Sequence, residues 1–411
     1  MRVEPINCYR PRPEKAASFA ALPYDVFDRE RARAYAQAHP GSFLSIDRPE
    51  VNFEPGHDMY AADVYAKAGE LIRQAALDGV LLKDEKSCYY VYRLEQDDRA
   101  QTGLVCACSV AEYDDGTIRR HENTRAQKER DRIEHIRATG AQTGPIFLTY
   151  RDNYAIDVLV GLAMTAEPLY DFTDDEGVHQ SVWRIAREAA VEAIRETFKT
   201  VPCAYIADGH HRAASAVAVS HQKREEAGAD APEMPSDLFL SVLFPASQLR
   251  VMAYNRVVAD LAGRTTTEFL EQVEAAGYQL EDPAPYAEPQ APGELSIYVG
   301  GAWRAARLAA SAGTTDADPA AALDVSVLQE RVLAPILGIL NPREDPRISF
   351  VGGIKGHGEL ERRAGEKGVA FSLCPTSVEQ LMAVSDAGEL MPPKSTWFEP
   401  KLRSGLFVRR I

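Results

Sequence analysis

Positive charge is in short supply in this chain of 411 residues, where 46 Lys plus Arg face 61 Asp plus Glu for a formal net charge of −15 at pH 7. That deficit argues against duplex nucleic acid or an anionic membrane as the main partner, because either needs a surplus of cations over a broad face. A small, local basic site is still compatible with it. Long apolar runs are also missing. The longest, around 158–164, is far short of the ~20 residues that cross a bilayer. The opening Met1 to Ile6 runs into Arg10-Pro11-Arg12-Pro13-Glu14 without the apolar segment of an export signal. A cytoplasmic protein is expected. No CxxC pair occurs among Cys8, Cys88, Cys106, Cys108, Cys203 and Cys374, so neither a zinc knuckle nor a redox pair is indicated. Cys106 and Cys108 would share one face of a strand, and buried free thiols are expected.

What is present is ordinary globular composition, with 45% hydrophobic and 26% charged residues, which excludes disordered and fibrous architectures. At ~150 residues per domain, two or three domains are expected. Four prolines among acidic and Ala residues make 281–294 an extended, exposed connection. Segments 225–235 and 312–319 read as surface loops.

Periodicity predicts helices over 29–38, stopping before Pro40, and over 60–77, then a hairpin from 88–94 and 103–113. A charged helix follows over 125–138, a short buried strand over 145–150, and a long helix over 178–198. Strand 201–207 leads through a loop to an Ala-rich helix over 213–224. Towards the C-terminus, strand 348–352, helix 359–366, strand 369–373 and helix 377–387 alternate. The fold class is α/β, in three blocks: residues 1–86, 87–245 and 246–411.

Chemistry is expected at three places. Asp208-Gly209-His210-His211-Arg212 lies between a buried strand and a helix that begins with small residues. Such a junction offers free N–H groups and the positive end of a helix dipole, Gly209 allows close approach of the backbone, and Arg212 adds a cationic fork. These suit a phosphate. A tight turn whose histidines merely pack or cap is the plainer reading, but the combination is unusual for a turn. Zinc is the weaker alternative.

The second place is Arg119-Arg120-His121-Glu122-Asn123-Thr124, where a carboxylate at a strand end beside His and Arg suits a general base. Against it stands a simpler role, with Asn123 or Thr124 capping the next helix and the charges solvated. The third is Met391 to Lys401, in which prolines flank Lys394-Ser395-Thr396 ahead of Trp397-Phe398, a rigid loop presenting an ammonium and two hydroxyls to a carboxylate or phosphate. A tail anchored by its aromatics fits that composition equally well. Gly352-Gly353-Ile354-Lys355-Gly356-His357-Gly358 lacks the Gly-Lys-Ser/Thr ending of a phosphate-binding P-loop and reads as a strand-to-helix turn. Pro23-Tyr24-Asp25 reads as a turn.

Taken together, the motifs resemble a known group. The strand with Asp208 to Arg212 resembles the phosphate-binding loop of the ParB/sulfiredoxin-like superfamily. The whole chain looks like a bacterial family catalogued as a domain of unknown function. The sharper similarity is to that superfamily's free-serine kinases, in which a His-Glu pair, a DGHHR loop and a Pro-Lys-Thr-Thr loop occur in this order. The resemblance implies a ParB/sulfiredoxin-like nucleotide-binding core with an added N-terminal α/β block and a C-terminal α/β domain that contributes a substrate loop. It implies ADP or ATP with Mg²⁺ as cofactors, a serine-like small molecule as partner, and O-phosphoserine as product. Glu122 would be the catalytic base beside His121. Asp208, Gly209, His210, His211 and Arg212 would hold the nucleotide, and Lys394, Ser395 and Thr396 the substrate.

Two departures stand out: an insertion around 152–200, and Trp397-Phe398 where the kinases carry basic residues. His210 stands where sulfiredoxin has its reactive cysteine, so thiol chemistry is not expected. The alternatives are a non-catalytic nucleotide switch of ParB type, or a phosphoserine-binding or phosphatase-like protein.

Overall fold

Residues 1–228, 230–309 and 318–411 are described by the computed structural model, so most of the expected loop 312–319 lies outside the described residues. The chain forms two compact units, and each draws on separated stretches of sequence. The first comprises Met1–Arg119, Thr124–Leu249 and Pro400–Ile411, and the second comprises Arg120–Asn123 and Arg250–Glu399. Both are mixed α/β, and no helix among the described residues is long and apolar enough to cross a membrane.

The first unit is built on a nine-stranded sheet. Its main path runs Ile118–Arg119, Ala204–Asp208, Ile146–Tyr150, Leu238–Pro245, Arg99–Ser109, Tyr89–Gln96, His179–Ile185 and Tyr170–Thr173, and Val3–Glu4 pairs with Arg99–Ser109 off this path. The expected hairpin is the antiparallel pair Tyr89–Gln96 with Arg99–Ser109, but the chain turns helical over Val110–Asp114 where the strand was expected to continue. Leu104, Cys106, Ile146, Leu148, Ile206, Ala213 and Val217 belong to one buried apolar cluster that joins this sheet to the helix His210–Ala227. All six cysteines are free thiols, five of them buried and Cys374 half-buried.

The long helix expected over 178–198 is two elements, strand His179–Ile185 and helix Glu188–Phe198. Segment 188–198 is rich in Ala and Glu and does read as a helix. The preceding His179–Ile185 is instead drawn into full register with Tyr89–Glu95, a non-local pairing that overrides local propensity.

A four-stranded sheet in the same unit has the order Leu81–Lys83, Cys8–Pro11, Val408–Arg410, Ala141–Gln142, so a strand near residue 410 lies between two from the first 142 residues.

In the second unit a six-stranded sheet runs Tyr278–Leu280, Ala302–Leu308, Glu294–Val299, Val369–Leu373, Tyr254–Val258, Ile348–Gly352, with every neighbouring pair antiparallel. Val257, Val351 and Ala370 pack on Leu360 and Ala364 of helix Gly356–Ala364. Alternation therefore sends Arg256, Phe350 and Phe371, which are register partners, to the opposite face. A short two-stranded ribbon pairs Arg250–Met252 with Trp397–Glu399.

Candidate functional site

In the first unit, strand Ala204–Asp208 carries an irregularity just before its end. Ile206 pairs with Leu148 and Asp208 with Phe147, which leaves Ala207 as an extra residue. A bulge of this kind re-aims the side chain that follows it. Gly209 then turns the chain with φ +93°, and helix His210–Ala227 begins at once. The helix was expected from about Ala213. One left-handed glycine makes the turn alone, so His210, His211 and Arg212 occupy the helix's first turn.

Two cations meet Asp208: Lys401 Nζ lies 3.4 Å from its Oδ2 and Arg212 Nη2 lies 3.6 Å away. Burial works against ionisation of this carboxyl. Lys401 first, then Arg212 and His210, more than reverse that effect and hold its pKa well below the usual carboxylate range. Arg212 also donates from Nη1 to the carbonyl of Pro145 at 2.5 Å.

His211 Nε2 accepts from the backbone N–H of Arg125 at 3.0 Å, and Thr124 Oγ1 donates to Glu129 at 2.8 Å. The charged helix Ala126–Thr139 has Arg125 at its N-cap and no side-chain cap. Thr124 bonds to the Glu129 carboxylate and not to a backbone N–H of the first turn, so the capping role weighed for Asn123 or Thr124 is not seen, and His211 instead anchors the backbone just before the helix. The N-terminus of helix His210–Ala227 has no side-chain cap.

Behind Arg212 lies a cavity of about 30 Å³, room for one or two waters, lined in part by Tyr24, Asp47, Arg132, His135 and Thr143. Arg132 stacks 4.1 Å from the centre of the Tyr24 ring, pairs with Asp131 at 2.9 Å and donates to the Asp47 carbonyl at 3.2 Å. Thr143 Oγ1 donates to the Asp47 carboxylate at 2.8 Å. His135 donates from Nε2 to the Ile46 carbonyl at 2.8 Å, and burial with the nearby Arg132 charge lowers its pKa. The Tyr24 turn, expected to be inert, is therefore part of the cavity wall beside Arg212.

Two predictions arise from this geometry. A Cβ on Gly209 would lie 3.0–3.1 Å from the Arg212 guanidinium, and the residue sits at positive φ. Gly209→Ala is therefore expected to cost about 1–2 kcal/mol in a urea melt, and an unchanged midpoint would contradict the strained turn. For Asp208, the folded pKa lies below the ~3.9 of a free Asp, so its ion pairs contribute stability above that value and lose it as pH falls through the folded pKa. Asp208→Asn should lower the Tm at pH 7, and its gap to the natural protein should narrow only below about pH 4. A gap that stayed constant between pH 7 and pH 3 would contradict the ion pairs with Lys401 and Arg212.

The second unit brings together the other two motifs. The Met391 backbone N–H donates to the His121 carbonyl at 2.8 Å, so the His121-Glu122 stretch is tied to the loop that carries Lys394. His121 is buried and Glu122 half-buried. Ser395 Oγ donates to the Pro392 carbonyl at 2.7 Å, and Thr376 Oγ1 donates to the Ser395 carbonyl at 3.1 Å. The Ser395 hydroxyl hydrogen thus braces its own loop, while Thr396 is half-buried and Lys394 exposed. Lys394 has φ +60°, rare for a residue with a side chain, and its Nζ lies 5.4 Å from the centre of the Tyr254 ring. The Trp397 ring lies against Gly352, where a Cβ would come within 2.7 Å of it.

Asp47 and Arg132 are not singled out by the sequence, Tyr24 reads there only as part of a turn, and Lys401 closes the third motif without a role of its own. Lys401 repeats the Pro-Lys pattern of Pro393-Lys394 seven residues later, a faint signal at best.

A family model described as "Protein of unknown function (DUF1015)" matches residues 3–326. No curated protein matches the sequence. Among solved structures, similarity extends to a free serine kinase variant in complex with ADP, at 15% identity, 72% of this chain, 87% of that one and a TM-score of 0.35. Similarity is also found to SbnI with C-terminal truncation from Staphylococcus aureus, at 15% identity, 74% and 87% coverage and a TM-score of 0.38. A conserved hypothetical protein from Pyrococcus furiosus matches at 16% identity, 75% and 95% coverage and a TM-score of 0.36.

Proposed function

The chain belongs to the protein family of unknown function DUF1015, and we propose that it is a small-molecule kinase with a ParB/sulfiredoxin-like core. It would transfer a phosphoryl group from ADP or ATP to the hydroxyl of free L-serine or a similar hydroxy amino acid. The observation that carries this reading is the bond from Met391 N–H to the His121 carbonyl. It ties a candidate base and a candidate substrate loop, remote from one another in sequence, into one compact unit.

In this reading Asp208 to Arg212 receive the nucleotide phosphates. The uncapped N-terminus of helix His210–Ala227 supplies N–H groups, and Arg212 supplies a fixed charge to the transferred phosphoryl. Asp208 holds Arg212 and Lys401 in place. Glu122 accepts the proton of the attacking hydroxyl, and Lys394 meets the substrate's negative charge. The resemblance also implies Mg²⁺, but Asp208 is a poor ligand for it, because Lys401 and Arg212 already neutralise that carboxylate. No step is assigned to a metal.

The test is a coupled assay for O-phosphoserine with L-serine and either ADP or ATP. Product with one donor supports the reading. Nucleotide binding without product from either donor removes the kinase and leaves the nucleotide switch.

A further inference from the structure

We propose that Arg256 is an oxyanion-binding residue of the second unit, with Lys394 as a second cation, and that it takes the carboxylate of the small hydroxy acid; the identity of that acid rests on the kinase reading above.

Arg256 is 3% exposed, in strand Tyr254–Val258, and among the described residues it forms no salt bridge with any carboxylate. Its guanidinium donates from Nη1 to the carbonyl of Tyr254, two residues back on its own strand, and from Nη2 to the Pro393 carbonyl at a long 3.4 Å. The Phe350 ring covers it at 5.5 Å. These three contacts are all with neutral groups. Burial lowers its pKa to about 9, which still leaves it charged at pH 7.

A guanidinium taken from water without a counter-ion costs free energy that two carbonyls and a ring face do not return. A buried side chain needed only to brace the 391–396 loop would not have to be charged. An oxyanion arriving at this place supplies the missing charge, and Arg, with five N–H donors, has the geometry to bind it through two of them. The surrounding groups point the same way. Pro393 is bonded to Arg256 and precedes Lys394, whose ammonium shares the Tyr254 ring neighbourhood. Arg256 thus lies over Phe350 and Lys394 over Tyr254, and Tyr254 packs edge-on to both Phe350 and Trp397.

The experiment uses the full chain with Arg256→Met and Arg256→Lys. Thermal melts are run at constant ionic strength against L-serine, ethanolamine, O-phospho-L-serine, inorganic phosphate and chloride. For the natural protein a saturable rise in Tm is expected with L-serine and not with ethanolamine, which keeps the amine and hydroxyl but lacks the carboxylate. Arg256→Met should melt at or above the natural protein when no anion is added. Its apparent affinity should be weaker by ~10 to 100-fold, the worth of a charge-assisted contact. Arg256→Lys should fall between the two.

A response to phosphate and O-phospho-L-serine without one to L-serine would overturn the carboxylate assignment and transfer the contact to a phosphoryl group. A natural protein indifferent to all these anions overturns the proposal whatever the variants do. So does an Arg256→Met protein that folds and responds as the natural one does. Anion binding that depends on Arg256 without any phosphoserine formation would refute the kinase reading alone. Phosphoserine formation with an unchanged KM for serine in Arg256→Met would refute this inference alone.

Discussion

Glu122→Gln is expected to reduce phosphoryl transfer by ~100-fold or more while changing nucleotide affinity by less than about threefold. Glutamine keeps the size and most of the hydrogen bonding of glutamate but cannot accept a proton at neutral pH. The loss therefore reports on proton transfer and not on packing. Local structure supports the choice of residue. Glu122 follows a buried His121 whose carbonyl accepts from the Met391 N–H, so the backbone leading into it is held in place. If Glu122 were only a solvated charge before helix Ala126–Thr139, the substitution would change rate and stability by under ~1 kcal/mol. Single-turnover rates with L-serine, together with calorimetric ADP affinity, separate these outcomes. A rate near that of the natural protein in Glu122→Gln would shift the search for a base to His121, His210 or His211.

The second large effect is expected at Arg212. Arg212→Ala should weaken ADP or ATP binding by ~10 to 100-fold, since a charge-assisted contact to phosphate is worth about 1.5–3 kcal/mol. The side chain has a structural task as well, because its Nη1 satisfies the buried Pro145 carbonyl and its Nη2 faces Asp208. A stability loss of about 1 kcal/mol is expected beside the binding loss. Lys401 still neutralises Asp208 in the variant, so the fold should survive. Nucleotide affinity equal to that of the natural protein in a folded Arg212→Ala would make the strand-to-helix junction a purely structural turn.

Much of the fold can be read locally. Asp28 caps helix Arg29–Ala38 through the Arg31 N–H and Pro40 follows its end, while strands Ile348–Gly352 and Val369–Leu373 carry β-forming residues at the expected places. Reading failed where a partner far along the chain decides the matter. Strand His179–Ile185 exists because Tyr89–Glu95 is there to pair with it, and nothing within 178–198 announces that neighbour.

The site divides in the same way. The Asp208-Gly209 turn is legible, because glycine at such a junction points to a left-handed backbone. Lys401 as the counter-ion of Asp208 is not, because only tertiary structure brings those residues together. Arg256 is harder still. An Arg in a short strand normally suggests a solvent-facing position, and only the packed sheet shows it buried.

The four-stranded sheet of the first unit bears on how the protein is made. Its strand Val408–Arg410 sits between Cys8–Pro11 and Ala141–Gln142, so the early strands lack an interior neighbour until residue 410 has been synthesised. Until Val408–Arg410 has been made, the side of Cys8–Pro11 away from Leu81–Lys83 is an unpaired edge of the kind that other chains can join. Lys401, carried by the same 400–411 stretch, reaches Asp208 only after the second unit's 250–399 segment has been made. A chain halted before residue 400 would hold a partly formed sheet and an Asp208 without its ammonium partner. The charge balance around the proposed nucleotide loop thus depends on a residue 193 positions further along the chain.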